Sequence, residues 1–217
     1  MNTTTSGRFR VLDSAHDDDA WTFLALLDGV DADPETSDAY ERIDVPRSGH
    51  GDHGETVAGL RPGYVVDATL SWETAGPTVE SITVEQRSLY AFADGVTNLF
   101  EAATESWEQA KLQGDAMNSR VTQNTDGDVN GVLYVFGNAP GAGDLYEEFA
   151  SGERPLEPLV ARVNESEGDD PREVFVLRPA GGEFVVVYIV LAKGGLLADT
   201  MRDTYELPRP DEPLADE

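Results

Sequence analysis

Acidic side chains are spread along this whole chain, and their number restricts both its fold and its working conditions. The 217 residues include 42 Asp and Glu against 15 Lys and Arg, which gives a formal net charge of −27. Acidic runs are short, the longest being residues 17–19, and 40% of the residues are hydrophobic. A disordered acidic tail would be blocky and poor in apolar residues, so the pattern predicts a folded body coated with carboxylates.

The basic residues are almost all arginine, because Lys111 and Lys193 are the only lysines. Excess carboxylate with little lysine is typical of cytosolic proteins from extreme halophiles. At about 1 M salt the screening length falls to roughly 3 Å, which removes most of the repulsion between carboxylates. The composition therefore predicts a salt-adapted cytoplasmic protein whose solvent is concentrated potassium salt. The alternative is an ordinary acidic protein that binds a basic partner.

Cysteine is absent, which excludes a disulfide scaffold, thiolate metal sites and thiol nucleophiles. The N-terminus lacks the apolar core of a secretory signal. The longest apolar run, residues 184–192, is about half of a membrane span and is typical of a buried strand. We therefore expect a soluble protein without a membrane partner, and we expect no cofactor.

The first part of the chain has the pattern of short strands. The clearest is a hairpin of residues 64–72 and 79–90, in which apolar residues alternate. Five short strands with an interruption after the third predict a small, closed, OB-like β-barrel over residues 1–92. Residues 60–66 resemble the start of the fourth strand in OB-like RNA-binding barrels.

The apolar period changes to steps of three and four at Asp94, which predicts a helix that ends at Gly114. Strands are expected at residues 132–136, 174–177 and 184–191. The last is apolar on both faces, which predicts the central strand. The fold class is therefore α+β: the barrel, then a three-stranded sheet covered by helices over residues 93–206. Residues 207–217 are predicted to be a disordered acidic tail.

Two segments, residues 117–122 (Met-Asn-Ser-Arg-Val-Thr) and 130–136 (Asn-Gly-Val-Leu-Tyr-Val-Phe), resemble an uncharacterised haloarchaeal protein family. The resemblance covers most of the chain. It implies a salt-rich habitat, and it implies no mechanism.

Hydrogen-bonding residues are concentrated between the predicted helix and strand, which is typical of a ligand pocket. Lys193 is added because it ends the central strand and is one of two lysines, although a structural lysine is the alternative. The candidate ligand-binding residues are Asn118, Ser119, Arg120, Asn124 and Lys193.

Asp126, Asp128 and Asn130, followed by Gly131, match the first half of a calcium loop. A twelve-residue loop would need a bidentate carboxylate where Gly137 stands. The segment therefore has two interpretations: a weak ion site at these three residues, or an acidic turn before a strand.

Two further motifs have structural alternatives. His50 and His53 flank Asp52 and precede Glu55, and with His16 they could form a transition-metal site or be solvated loop residues. Residues 137–143 match the glycine-rich loop of short-chain dehydrogenases. Repeated βα units are missing and Asp144 follows, which favours a plain strand–helix connection.

Four arginines of the predicted barrel, together with its aromatic residues, fit single-stranded nucleic acid, which barrels read by stacking. Our main hypothesis is a binding or regulatory protein without catalysis, with RNA or another protein as its partner. One alternative is an enzyme for small molecules or phosphoesters with its pocket near Asn118, Arg120 and Lys193; another is a structural subunit. The four arginines are Arg8, Arg10, Arg61 and Arg87.

Overall fold

The computed structural model describes residues 3–26, 40–73, 76–138, 141 and 143–213. The chain divides into two compact units. Unit 1 comprises residues 1–88, 150–158 and 210–217, and unit 2 comprises residues 89–149 and 159–209.

Unit 1 contains one antiparallel sheet of five strands in the order β3-β2-β1-β4-β5. The sheet forms because apolar residues alternate along β1, so that Phe9 and Val11 are buried while Arg8 lies on the opposite face. The elements are β1 (Thr4–Asp13), β2 (Ala20–Leu26), β3 (Arg42–Pro46), a 3-10 turn (Gly51–His53), α1 (Gly54–Ala58), β4 (Tyr64–Glu73) and β5 (Gly76–Arg87).

The prediction of a closed OB-like barrel is wrong. Strands β3 and β5 approach each other at the two ends of the strand order, but no hydrogen-bonded ladder joins them in the described ranges. The sheet therefore keeps two edges. Strand number and order of hydrophobic segments do not determine closure, which requires backbone pairing between residues distant in sequence.

Unit 2 is built on a second five-stranded sheet, in the order β6-β9-β10-β8-β7. The pair β6–β9 is parallel and the other pairs are antiparallel. The elements after β5 are β6 (Leu89–Val96), α2 (Glu101–Gln113), β7 (Met117–Gln123), β8 (Val129–Gly137), α3 (Leu145–Ala150), α4 (Glu157–Glu167), β9 (Glu173–Pro179), β10 (Phe184–Val190) and α5 (Leu196–Thr204).

The predicted three-stranded sheet is also wrong, because β6 and β7 extend it to five strands. Strand β6 continues past Asp94, so the helix begins at Glu101. Strand β7 lies at an edge and is mostly exposed, and its polar sequence therefore carries no strand-like alternation. Two expectations are confirmed: β10 is central with all seven residues buried, and Gly114 ends α2 with a φ of 77°.

Helices α2 and α5 cover one face of the second sheet. Ala103 of α2 and Ala198 and Met201 of α5 are buried against this face. They pack on residues of β8, β9 and β10, namely Leu133, Val135, Phe175, Leu177, Val186, Tyr188 and Val190. This layer positions the cavity considered below. None of the helices in the described ranges combines the length and hydrophobicity needed to cross a bilayer.

Candidate functional site

A cavity of about 500 Å³ lies in unit 2, where α2 and α5 meet the β7 edge of the sheet. This volume is within the range of small-molecule sites. Apolar and aromatic side chains form much of the wall, and a few hydroxyl and charged groups interrupt it. The lining residues are Phe100, Glu101, Ala102, Glu105, Arg120, Val121, Thr122, Gln123, Asn130, Tyr188, Leu197, Thr200, Met201, Thr204 and Tyr205.

A chain of hydrogen bonds crosses the floor of this cavity. The Thr122 hydroxyl donates to Asn130 Oδ1 at 2.8 Å, which leaves its oxygen to accept from the Tyr188 hydroxyl at 2.8 Å. Tyr188 is 4% exposed, and burial raises the pKa of its phenol. The floor is therefore a neutral, oriented hydroxyl network. Gly131 is needed beneath it, because a Cβ there would lie 2.8 Å from the Tyr188 ring.

Aromatic rings form the wall at the start of α2. The Phe100 and Tyr188 rings stack with centroids 5.4 Å apart. The Phe100 backbone N–H donates to the Tyr205 hydroxyl at 3.0 Å, which ties the beginning of α2 to the end of α5. An aromatic or aliphatic ligand body would contact rings whose orientation is already set.

Arg120 supplies the only cation in the described lining. Its Nη1 donates to Glu105 Oε2 at 3.1 Å and to the Ala102 carbonyl at 3.4 Å. Glu101 is the other charged residue of the wall. Two carboxylates and one guanidinium give the cavity a net negative charge.

The structure brings together only part of the predicted pocket. Of the five candidate ligand-binding residues, Arg120 lines the cavity, and Asn130 of the predicted ion site lines it as well. Asn118 instead joins β7 to α2, since its Nδ2 donates to the Ser106 carbonyl at 3.1 Å and to Gln109 Oε1 at 3.3 Å. Ser119 is exposed and, one position along β7, lies on the opposite face.

Lys193 lies away from Asn118. Asn118 pairs with Val135, which pairs with Val186, whereas Lys193 follows Val190 at the end of β10. Four strand positions separate Val186 from Val190, or about 13 Å at 3.3 Å per residue. A single pocket containing Asn118, Arg120 and Lys193 is therefore not formed.

The β7–β8 turn has an internal explanation for its polar residues. Asn124 Oδ1 accepts from the backbone N–H groups of Asp126 and Asp128, each at 2.9 Å. Both carboxylates are exposed, and Asn130 is bonded to Thr122. No group of three or more His, Asp or Glu suited to a metal ion occurs among the described residues.

Two histidines of the predicted transition-metal site, His50 and His53, form hydrogen bonds from their ring nitrogens to backbone groups. His50 is buried, its Nε2–H donates to the Pro46 carbonyl at 2.5 Å, and its Nδ1 accepts from the Val79 N–H at 3.1 Å. Both ring nitrogens are therefore used. His53 Nε2 bonds the Glu80 carbonyl at 2.8 Å.

The glycine-rich segment 137–143 falls partly outside the described residues, at 139, 140 and 142. At its start, Gly137 ends β8 under the Trp107 ring. A Cβ at Gly137 would lie 2.7 Å from Trp107 Cη2, so close ring packing accounts for this glycine.

All four arginines of the predicted nucleic-acid surface have partners inside unit 1. Arg8 bonds Glu85 at 2.6 Å, and Arg10 is buried, where it forms a two-point pair with Glu157 at 2.9 and 3.0 Å. Arg61 donates to the Asp211 carbonyl at 2.7 Å. Arg87 donates to the Pro213 carbonyl at 2.6 Å.

A second cavity of unit 2, about 570 Å³, is lined by the charged residues of α5 and the segment after it. Its two arginines serve a buried anion: Glu173 is fully buried and accepts from Arg202 Nε at 2.6 Å and from Arg209. The Gly194 N–H donates to the same carboxylate at 2.9 Å. These groups are needed for packing, so this cavity is the weaker ligand site.

Sequence reasoning missed Tyr188 and Thr122, which carry the cavity floor. A tyrosine within a seven-residue apolar strand was an available signal, because a buried phenol needs a hydrogen-bond partner. Thr122 gives no such signal, since its partner is 66 residues away.

A family model described as "Family of unknown function (DUF6663)" matches residues 1–210, and the chain therefore belongs to that family. A search of curated proteins finds no match.

Proposed function

We propose that this member of a family of unknown function is a small-molecule binding protein, and that its ligand occupies the α2–α5–β7 cavity of unit 2. The observation that carries this proposal is the pairing of an apolar, aromatic wall with the partly buried Tyr188–Thr122–Asn130 network. Apolar lining gives a ligand site its affinity, and a few fixed polar groups give it orientation.

The cavity charge narrows the ligand class. Glu101 and Glu105 outnumber Arg120, which is already bonded to Glu105. An anion would meet net repulsion, whereas a neutral or cationic ligand would not. The ligand is therefore a small uncharged or cationic molecule with an apolar body and a hydrogen-bonding group.

Binding rather than catalysis is favoured by the chemistry of the wall. The hydroxyls of Thr122 and Tyr188 bond each other and an amide, and Glu105 of the lining is bonded to Arg120. A hydroxyl nucleophile needs a base within hydrogen-bond reach or a lowered pKa, whereas burial raises the pKa of Tyr188.

The test uses three ligands that share a phenyl ring and differ in charge: benzyl alcohol, benzylamine and benzoate. Ligand-observed NMR on the full chain in about 1 M KCl should detect the first two more strongly than benzoate. Thr200→Phe fills the cavity and should abolish their signals. Thr104→Phe, also an exposed helix threonine but outside the lining, should preserve them. Equal signals in both variants, or none in the wild type, would refute the site.

A second inference concerns the environment: we propose that the protein works in the concentrated potassium salt of a haloarchaeal cytoplasm. The net charge of −27 and the near absence of lysine support it. Dialysis from about 1 M to about 0.01 M KCl lengthens the screening distance from roughly 3 to 30 Å and should lower the melting temperature strongly. An unchanged melting temperature would overturn this proposal.

A further inference from the structure

One face of unit 1 carries a groove that holds an extended stretch of the chain's own sequence. Its wall is formed by Gly59 after α1, Arg61, Tyr64 at the start of β4, and Arg87 at the end of β5. We call these four residues the Arg61–Arg87 groove. Residues 210–213, Pro-Asp-Glu-Pro, lie in it.

Two of the contacts are hydrogen bonds to backbone carbonyls of that stretch. Arg61 Nε donates to the Asp211 carbonyl at 2.7 Å, and Arg87 Nη1 donates to the Pro213 carbonyl at 2.6 Å. These carbonyls are two residues apart, and any extended peptide presents such a pair. Recognition through them does not depend on the side chains at those positions.

Two side chains add specificity. The Tyr64 hydroxyl donates to Glu212 Oε1 at 2.5 Å, and the Tyr64 side chain is fully buried. The Pro213 ring lies so close to Gly59 that a Cβ there would be 3.1 Å from Pro213 Cγ. The groove therefore favours an acidic residue followed directly by proline.

The groove itself is held rigid. The Arg61 guanidinium also donates to the Leu60 carbonyl at 2.6 Å and the Ala58 carbonyl at 3.3 Å, which fixes its direction. The Arg87 guanidinium lies 5.7 Å from the centre of the Tyr64 ring. Two cations and a phenol therefore face the same extended ligand.

The bound stretch is prepared for this conformation by its own sequence. Pro208, Pro210 and Pro213 fix three φ angles and bias the residues before them toward extended backbone. Such a segment loses little conformational entropy on binding, which is why proline-rich peptides are common ligands of aromatic grooves.

We propose that the Arg61–Arg87 groove is a docking site for an extended, acidic, proline-containing segment of a partner protein. Residues 210–213 occupy it here as an internal competitor. Two of its four contacts are to backbone carbonyls, and an acidic residue followed by proline supplies the other two, so a partner segment of this kind presents the same groups. The site lies in unit 1 and is independent of the ligand cavity.

The experiment titrates the full chain, in about 1 M KCl, into a fluorescein-labelled peptide with the sequence of residues 207–217 and follows anisotropy. A tethered competitor acts at an effective concentration near millimolar, so the wild type should bind weakly. The full-length double variant Glu212→Gln, Pro213→Ala weakens that competitor, and it should bind at least tenfold more tightly.

Adding Arg87→Gln to the double variant should abolish binding, and adding Arg8→Gln, an arginine paired with Glu85 elsewhere in unit 1, should not. If the variant carrying Arg87→Gln does not fold, altered peptides provide the test instead. A peptide carrying Gln and Ala in place of Glu212 and Pro213 should bind the double variant less tightly than the unaltered peptide does. Absence of binding to the double variant, or binding indifferent to the peptide changes, overturns the proposal. A wild-type dimer that the double variant abolishes would also overturn it, because a second copy would then be the occupant.

Discussion

The least exposed ionic side chains of the two units, within the described ranges, differ in sign and in the number of charged partners. In unit 1 this side chain is a cation, Arg10, which is 3% exposed, pairs with Glu157 and donates to the Gly63 carbonyl. In unit 2 it is an anion, Glu173, which receives a backbone N–H and two guanidinium groups, one of them from Arg202, itself buried. The anion therefore uses two arginines of a chain that has few cations.

This difference shows how a chain with net charge −27 uses its basic residues. The half-buried Arg178 is used in the same way. It bonds Asp94, Asp144 and Glu147, and it lies 4.6 Å from the centre of the Tyr146 ring. Arg10, Arg178 and Arg202 are therefore used in ion pairs within the fold. Surface repulsion is left for the solvent to screen.

The largest expected effect comes from Glu173→Gln in unit 2. It leaves Arg202, 6% exposed, without its anion, and breaking a buried pair costs about 3–5 kcal/mol of unfolding free energy. Hydrogen exchange of β9 and β10 amides in about 1 M KCl should show this loss. The control Glu183→Gln removes an exposed partner of Lys111 and should change protection by less than about 1 kcal/mol. Similar effects for the two variants would show that Glu173 contributes no more than a surface pair.

Glu157→Gln is the corresponding change in unit 1 and should cost about 2–3 kcal/mol. The effect is smaller because Arg10 keeps its bond to the Gly63 carbonyl and Glu157 itself is 13% exposed. Exchange of β1 and β4 amides measures it, and Glu85→Gln, from the exposed Arg8 pair, is the matched control. A cost above that of Glu173→Gln would reverse the ranking of the two units.

The smallest effect is expected from Asp94→Asn in unit 2. The hydrogen bond from Arg178 lowers the Asp94 pKa, so the pair stabilises the fold above the unfolded pKa, and this is lost as pH falls through the folded pKa. Asp94 is half exposed, which limits the cost to less than about 1 kcal/mol at pH 7. Unfolding measured from pH 7 to about pH 3 should show the variant and wild type converging. A constant difference across that range would exclude the ion pair as its cause.

One buried tyrosine in each unit has a raised pKa, and burial is the largest cause in both. Burial, reinforced by Glu212, raises the pKa of Tyr64 to about 12, and burial beside Asp94 and Glu147 raises the pKa of Tyr146 to about 12. The two tyrosines therefore reach the same pKa, although the carboxylate beside Tyr64 is Glu212 and those beside Tyr146 are Asp94 and Glu147.

Local pattern predicted those elements whose burial is set by their own residues. The apolar run of β10 indicated a central strand, and Gly114 indicated the end of α2 because it permits a left-handed φ. Strand β7 could not be predicted, since an exposed edge strand has no apolar periodicity. Of the predicted ligand residues, Arg120 reaches the cavity, together with Asn130 of the predicted ion site. Asn118 does not reach it, because its amide bonds the Ser106 carbonyl of α2, and Lys193 is not part of the described lining.

The sequence by itself determined the net charge, the scarcity of lysine and the most apolar strand, because each is a property of composition or of neighbouring residues. Tertiary structure alone decided which arginines are buried, which carboxylates Arg10 and Arg202 meet and which hydroxyl Tyr188 contacts. The Arg10–Glu157 pair joins residues 147 apart, and the Thr122–Tyr188 bond joins residues 66 apart. Such contacts depend on which strands pair and on where a helix packs against them, and no local periodicity encodes that arrangement.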